Sequence, residues 1–228
     1  DAVRAVVLGG KLGGSSALRS HGIWADGTDL VIATPSTGGR LPPIASGERR
    51  LWMDERFRGG DDRRWRVSVL DALLQQATVV DRASLVASVD SALNTRRMTH
   101  AQLQRLIEAL PKRLRRLGRE VDSRAMSGTE TKLRLACVAA GLRVEPQASV
   151  DRVGFVDLLV DDWLIVEVDS HRYHDAAPRQ HVDRVRDGNA VLGSYGYLRF
   201  DYELVQFSLE WCIEVILARL RSGRPTAS

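Results

Sequence analysis

Three carboxylates interrupt two otherwise apolar runs in the stretch VDRVGFVDLLVDDWLIVEVDSHRYH, Val150 to His174. Asp157 lies in the first run, and Glu167 and Asp169 lie in the second. Ionised carboxylates inside buried strands are costly unless they are paired or bound to a cation. Glu167 and Asp169 are two residues apart, so a strand puts them on one face and turns Val166 and Val168 to the other. The Asp161-Asp162 pair suits a tight turn, which makes Arg152–Val160 and Trp163–Asp169 an antiparallel hairpin and sets Asp157 beside the other two acids. Carboxylates gathered in this way repel and raise one another's pKa. A hard divalent cation, Mg²⁺ or Mn²⁺, relieves the repulsion through oxygen ligands and stabilises charge on a phosphodiester. The competing reading is a buried ion-pair network, with Arg184 or Arg186 as the cation.

Other residues carry a chemical and a structural reading side by side. Glu130 stands three after Ser127, which is also a capping-box spacing. Asp169 has the alternative of ending its strand in an Asx-type turn. His174 follows the acids closely enough to serve as an acid or base; taken alone it reads as a surface histidine. His171 and His181 are expected at the surface. Arg184 and Arg186 are expected to contact phosphate, their register after the acids outweighing a helix-surface role. Gly9-Gly10-Lys11-Leu12-Gly13-Gly14-Ser15 has glycines and a lysine but not the order of a phosphate loop. Trp52 and Trp65, set among arginines, are expected in the core rather than stacked on bases.

The elements that must position these residues fall into two halves, with a domain expected at 1–120 and another at 121–228. In the first, Ser15 or Ser16 is read as capping a small helix, and Thr28–Thr34 as a strand. RRLWMDE and RRWRVSV are read as strands joined by a turn over Gly59–Asp62. Val69–Ala77 is read as a helix, Asp81 caps another, and Thr99 with Gln102 forms a capping box before a helix that Pro111 ends. The basic segment to Val121 is a connector or a solvated helix. In the second half a helix begins after Ser127 and stops near Gly141. Strands are expected at Leu142–Ser149, Arg152–Val160 and Trp163–Asp169. A helix over Pro178–Leu192, a strand at Tyr195–Phe200 and a long amphipathic helix over Leu204–Leu220 complete the order α-β-β-β-α-β-α.

Composition sets the outer bounds. The chain has 228 residues, 44% hydrophobic and 27% charged, as in an ordinary soluble globular protein of one large or two small domains. No apolar run approaches the roughly 20 residues of a membrane helix, and the first residues lack the pattern of a signal peptide. The chain opens at Asp1 rather than Met, so an upstream segment is expected. Two cysteines, Cys137 and Cys212, without zinc spacing suit a reducing cytoplasm. A net charge of +4 favours polyanionic partners. Arginines crowd at Arg49, Arg50, Arg56, Arg58, Arg63, Arg64 and Arg66, and again, with Lys112, at Arg113, Arg115, Arg116 and Arg119.

The order of elements, with Asp157 and the triplet Glu167-Val168-Asp169, resembles the core of the PD-(D/E)xK nucleases. More narrowly it resembles the domain related to very-short-patch repair endonucleases (Vsr-like) found in actinobacterial proteins. The matching residues are Glu130, Asp157, Glu167, Asp169 and His174. Asp183-Arg184-Val185-Arg186-Asp187 and Gly196-Tyr197-Leu198-Arg199-Phe200 follow, and the likeness runs from about Ser127 to Leu220. The first half resembles the region that accompanies this domain, where an AbiEi-type winged-helix antitoxin segment precedes an S-A-x-x-x-H-G motif. Ser16-Ala17-Leu18-Arg19-Ser20-His21-Gly22 fits that motif, and the winged helix itself would lie upstream of Asp1.

The resemblance implies an α/β (α+β) protein with a restriction-endonuclease-like C-terminal core and a smaller mixed α+β N-terminal domain. It implies a DNA endonuclease in repair or in defence against foreign DNA, with Asp157, Glu167 and Asp169 holding Mg²⁺ or Mn²⁺. Glu130 would orient the attacking water, and His174 would be the general base or acid. DNA contact is assigned to Arg184, Arg186, Arg199, Arg113 and Arg116. One departure matters: Asp169 stands where the nuclease triplet usually has lysine, and Ser170 replaces a more usual glycine. The alternatives are a DNA-binding regulator of antitoxin type that has kept the fold without the chemistry, and a protein-interaction scaffold.

Overall fold

The computed structural model describes residues 1–37, 39–57, 64–169, 186 and 188–224. It is a mixed α/β protein, with one three-stranded and one four-stranded sheet, each mixed in direction. Its contacts divide it into two units, Asp1–Ser123 and Arg124–Ser228. Among the described residues no helix is long and apolar enough to cross a membrane.

The first unit runs α1 (Ala2–Val7), β1 (Lys11–Leu12), α2 (Gly14–Ser20), β2 (Leu30–Thr34) and β3 (Glu48–Trp52). Then come α3 (Val69–Gln76), α4 (Arg82–Asn94), α5 (His100–Ala109) and a 3-10 helix (Lys112–Arg119). β2 is central, antiparallel to β1 and parallel to β3. The caps follow the sequence rules: Asp81 accepts from the Ser84 amide, and Thr99 and Gln102 form a reciprocal box.

Three expectations for this unit are corrected. Neither Ser15 nor Ser16 caps α2, which starts at Gly14. The buried Gln75 carboxamide takes that role, its Oε1 accepting from the Gly14 amide at 2.9 Å, and a Cβ on Gly13 would lie 2.7 Å from the same oxygen. These glycines therefore serve close packing rather than phosphate. RRWRVSV forms no strand: among the described residues it contributes one isolated bridge, Leu12 to Arg66, before Ser68 caps α3. Its proposed turn, Gly59–Asp62, lies outside the described residues. Trp52 is not core; it ends the edge strand β3, half exposed, with the Arg50 guanidinium 5.8 Å from its ring.

The S-A-x-x-x-H-G residues have local structural work. Ser16 Oγ accepts from the Val31 amide at 2.9 Å and ties α2 to β2. His21 Nε2 lies 3.1 Å from the Val67 carbonyl oxygen, and Gly22 takes the left-handed conformation (φ 76°) that ends α2.

The second unit runs α6 (Gly128–Ala139), β4 (Val144–Val150), β5 (Gly154–Val160), β6 (Leu164–Asp169), a helical stretch at 188–192, β7 (Gly196–Asp201), α7 (Tyr202–Phe207) and α8 (Leu209–Arg221). The sheet order is β4-β5-β6-β7, antiparallel except for the parallel β6–β7 pair. Asp161 and Asp162 both have positive φ, 47° and 66°, the backbone of a type I′ hairpin turn. The single helix expected over Leu204–Leu220 is two helices, broken at Ser208 (φ −139°, ψ 38°). The Asp201 side chain caps the first of them by accepting from the Leu204 amide. Of the helix expected over Pro178–Leu192, all but residue 186 and residues 188–192 lies outside the described residues.

One core cluster joins Leu133 and Cys137 of α6, Leu158 and Val160 of β5, Leu164 and Val166 of β6, and Phe200, Val205, Cys212 and Ile216. A second joins Ala148, Val150, Val153, Val156, Ile165 and Ala190. Val166 and Ile165 thus fall in different clusters, as strand alternation requires. Both cysteines are free and fully buried, and apolar surroundings push the Cys137 thiol up to about 12 and Cys212 to about 11. Neither is a ready nucleophile.

Candidate functional site

The acids meet where the β5–β6 ladder ends. Its register pairs Val160 with Leu164, Leu159 with Ile165 and Leu158 with Val166, and one more step would set Asp157 opposite Glu167. The ladder stops there. The Val168 amide instead donates to Asp157 Oδ2 at 2.8 Å, so the Asp157 side chain replaces a backbone bond. β6 continues beside β7 alone, with Glu167 opposite Arg199 and Asp169 opposite Asp201. The end of one pairing next to the continuation of another puts Asp157 and Glu167 on adjacent strands at an opening in the sheet.

Glu130 comes to the same place from the first turn of α6. Ser127 caps this helix by accepting from the Glu130 amide at 3.2 Å, but the reciprocal half of a capping box is displaced by one residue. The Glu130 carboxylate accepts from the Met126 amide at 2.9 Å. Glu130 is only 5% exposed. Burial, and then the neighbouring Asp157, push its carboxyl from the ordinary 4.5 up to about 7; hydrogen bonds from Met126, Ser127 and Gln147 only partly offset this. Asp157 is also raised, chiefly by burial, against the Val168 and Gln147 hydrogen bonds and the charge of Arg186. Glu167 is raised by burial and by Asp157, with Arg186 and Arg199 pulling the other way.

Arg186 and Arg199 face these acids. Arg186 Nη2 lies 3.0 Å from Glu167 Oε1 and 2.6 Å from the Phe155 carbonyl oxygen, while its Nε donates to the Val153 carbonyl at 3.0 Å. This side chain therefore also ties down the start of β5. Arg199 Nε is 3.6 Å from Asp169 Oδ2, its Nη2 donates to Tyr197 Oη at 2.6 Å, and its guanidinium lies 5.4 Å from the Tyr197 ring. Asp169 is exposed. Glu130, Asp157, Glu167, Asp169, Arg186 and Arg199 thus belong to one neighbourhood. Among the described residues, however, no group of three or more His, Cys, Asp or Glu converges closely enough to hold a metal ion ready-made. His174 and Arg184 lie outside the described residues.

Arg113 and Arg116 are exposed on the 3-10 helix of the first unit, where Leu114 and Leu117 form the buried face. Arg50 and Arg66 of the earlier cluster are spent within the fold. Arg50 donates to the carbonyls of Leu8 and Pro42, and Arg66 to that of Ser20.

One residue of the site was not expected from sequence. Gln147 of β4 donates from Nε2 to Glu130 Oε2 at 3.1 Å and to Asp157 Oδ1 at 3.3 Å, joining two carboxylates from different elements. A polar side chain between the buried Pro146 and Ala148 is its only trace in the sequence. Compared with protein-family models, with curated proteins and with solved structures, the chain matches none.

Proposed function

We propose that the second unit is a metal-dependent DNA endonuclease, hydrolysing phosphodiester bonds in DNA repair or in defence against foreign DNA in the cytoplasm. The observation that carries this reading is the accumulation of Glu130, Asp157 and Glu167 at the open end of the β5–β6 ladder. All three carboxyls are pushed upward, first by burial and then by one another, so each keeps its charge less readily than an exposed acid would. The donor set is all oxygen, which fits Mg²⁺ or Mn²⁺ rather than zinc. Asp157, Glu167 and Asp169 would hold the ion. Once bound, it supplies the positive charge that the acids lack and stabilises charge on the phosphate.

The remaining work falls to side chains of this chain. With its carboxyl near 7, Glu130 exchanges a proton at neutral pH and is suited to hold and orient the attacking water. Arg199, beside Asp169 at the site's edge, is placed to take a phosphate oxygen, and Arg186 can exchange its carboxylate partner for one. The role given to His174 as general base or acid rests on sequence alone. The test is cleavage of supercoiled plasmid with Mg²⁺ or Mn²⁺ by the full chain and by Glu167→Ala. Cleavage by the first and not the second is expected; equal cleavage by both, or by neither, removes catalysis as the explanation.

A second reading, a DNA-binding regulator of antitoxin type without catalysis, is favoured by one contact. Arg186 already supplies a cation to Glu167, and Asp169 stands where a catalytic lysine would. This reading predicts salt-sensitive DNA binding that needs no divalent ion.

A further inference from the structure

We infer that Gln147 is the positioning residue of this site, holding Glu130 of α6 and Asp157 of β5 together so that carboxylates from two separate elements act as one. The inference deepens the endonuclease reading and, for its catalytic consequence, rests on it. Three observations converge. The first is the pair of donations to Glu130 Oε2 and Asp157 Oδ1. A primary carboxamide has two N–H hydrogens, so one nitrogen can serve both acids, and no other side chain among the described residues does so.

The second is backbone strain. Gln147 has φ 51°, the left-handed region, in the middle of a strand, where a non-glycine residue is disfavoured. The β4–β5 register is the same on both sides of it, pairing Pro146 with Leu158 and Ala148 with Val156. No inserted residue therefore demands the unusual conformation. The third is position: that register sets Gln147 opposite Asp157, the residue whose side chain ends the neighbouring ladder. Asp157 is thus held on one oxygen by β6 and on the other by β4. The left-handed backbone accompanies an amide that reaches α6 and β5 together, and strain of this kind persists where the surroundings hold it in place.

Replacing Gln147 with glycine separates backbone from side chain. Glycine accepts φ near 51° without penalty, so a merely structural residue would leave Gln147→Gly as stable as the native chain or more so, with function intact. A positioning residue gives the opposite pairing, an unchanged or raised Tm with lost function. The experiment uses the full chain. Mn²⁺ affinity and plasmid cleavage are measured for the native chain and Gln147→Gly, with thermal unfolding alongside. In metal-free protein, the two Nε2–H resonances of Gln147 are followed by NMR in Glu130→Gln and Asp157→Asn.

We expect Gln147→Gly to keep its Tm while Mn²⁺ affinity and cleavage fall by about ten-fold or more, as when a ligand's supporting partner is removed. Each carboxyl variant is expected to move a Gln147 resonance. The inference is overturned if Gln147→Gly binds Mn²⁺ and cleaves like the native chain, or if the Gln147 resonances ignore either carboxylate. Should the native chain neither bind Mn²⁺ nor cleave, the endonuclease reading fails by itself. The amide resonances then decide alone whether Gln147 joins the two acids.

Discussion

Two helices of this protein open with the same grammar, and only one of them contributes to the candidate site. Ser68 caps α3 and Ser127 caps α6, each accepting from the amide of an acid three residues on, Asp71 and Glu130. Both acids are buried, 2% and 5% exposed. Asp71 is surrounded by donors: the Arg56 amide at 2.7 Å, the Phe57 amide at 3.2 Å and the Ser68 hydroxyl at 2.7 Å. It knits the loop before α3 to the helix. Glu130 accepts from Met126 and Gln147 but lies against Asp157, another acid, and its carboxyl is pushed up to about 7. Burial alone does not set the carboxylate of the candidate site apart from the structural one. What distinguishes them is whether local donors match the charge.

The largest effect that could break this comparison is pH dependence. The Glu130 carboxyl titrates near 4.5 when unfolded and near 7 when folded. Below about 4.5 both states are protonated and the group contributes nothing. Between those values the unfolded chain loses its proton while the folded one keeps it, so stability falls as pH rises, and the loss is complete above about 7. The span corresponds to about 3 kcal/mol, and Asp157 and Glu167, also raised, add in the same direction. Urea unfolding across this range in EDTA should show the native chain weakening relative to Glu130→Gln as pH increases. A difference between them that stays flat with pH would mean that Glu130 is as well compensated as Asp71.

Asp71 gives the next largest effect. Asp71→Ala leaves the Arg56 and Phe57 amides without their acceptor and should cost about 2 kcal/mol in urea unfolding. At pH 8 Glu130→Gln should cost little or be stabilising, because it removes a charge the fold disfavours. If the two variants are equally damaged, the contrast between the helices is lost.

Much of the local architecture was legible because it depends on neighbours in sequence. The caps at Asp81, Thr99 and Ser127 need one side chain and an amide two or three residues away. The Asp161-Asp162 turn needs only two residues that tolerate positive φ. Once the turn fixed the hairpin, alternation put Glu167 and Asp169 on the face opposite Val166. The rest depended on partners distant in the chain. β3 pairs in parallel with β2, a direction that nothing in RRLWMDE states, and the companion strand expected at RRWRVSV is absent among the described residues. Gln75 caps α2 from 61 residues away. The break at Ser208 is set where Asp201 starts a short helix, which a continuous apolar periodicity conceals. Gln147 was hidden for a further reason: its strained φ is a property of the assembled site. In the reading of Asp157 and Glu167, the alternation pattern was strong, and of the two arginines the sequence offered as ion-pair partners, Arg186 is the one set on Glu167.

That arginine provides a smaller and more discriminating effect. Arg50 and Arg66 donate to carbonyls of their own unit, whereas Arg186 divides its donors between carbonyls and an acid of the candidate site. On the endonuclease reading Arg186 competes with a cation for Glu167. Arg186→Met should therefore tighten Mn²⁺ binding by about ten-fold, or about 1.4 kcal/mol, even as phosphate contact weakens. On the regulator reading Mn²⁺ affinity stays negligible in both proteins and only DNA affinity falls. Calorimetric titration of Mn²⁺ into the native chain and the variant separates the two.

The smallest effects come from adjacent arginines of the 3-10 helix, and they ask whether a basic cluster is scaffold or contact surface. Arg115 donates to the carbonyls of Leu110 and Glu108, meeting carbonyls at the end of α5 that the helix cannot satisfy itself. Arg113 and Arg116 are exposed on the same helix. Arg115→Ala should cost about 1 kcal/mol of stability and leave the salt dependence of DNA binding unchanged. Arg113→Ala and Arg116→Ala should leave stability within about 0.5 kcal/mol, and each should lower the slope of log affinity against log salt by about 1. Urea unfolding and fluorescence-anisotropy titrations with a short duplex at several salt concentrations measure both quantities. If the slope responds to none of the three, these arginines make no phosphate contact, and any DNA surface must be sought around Arg199 and the acids instead.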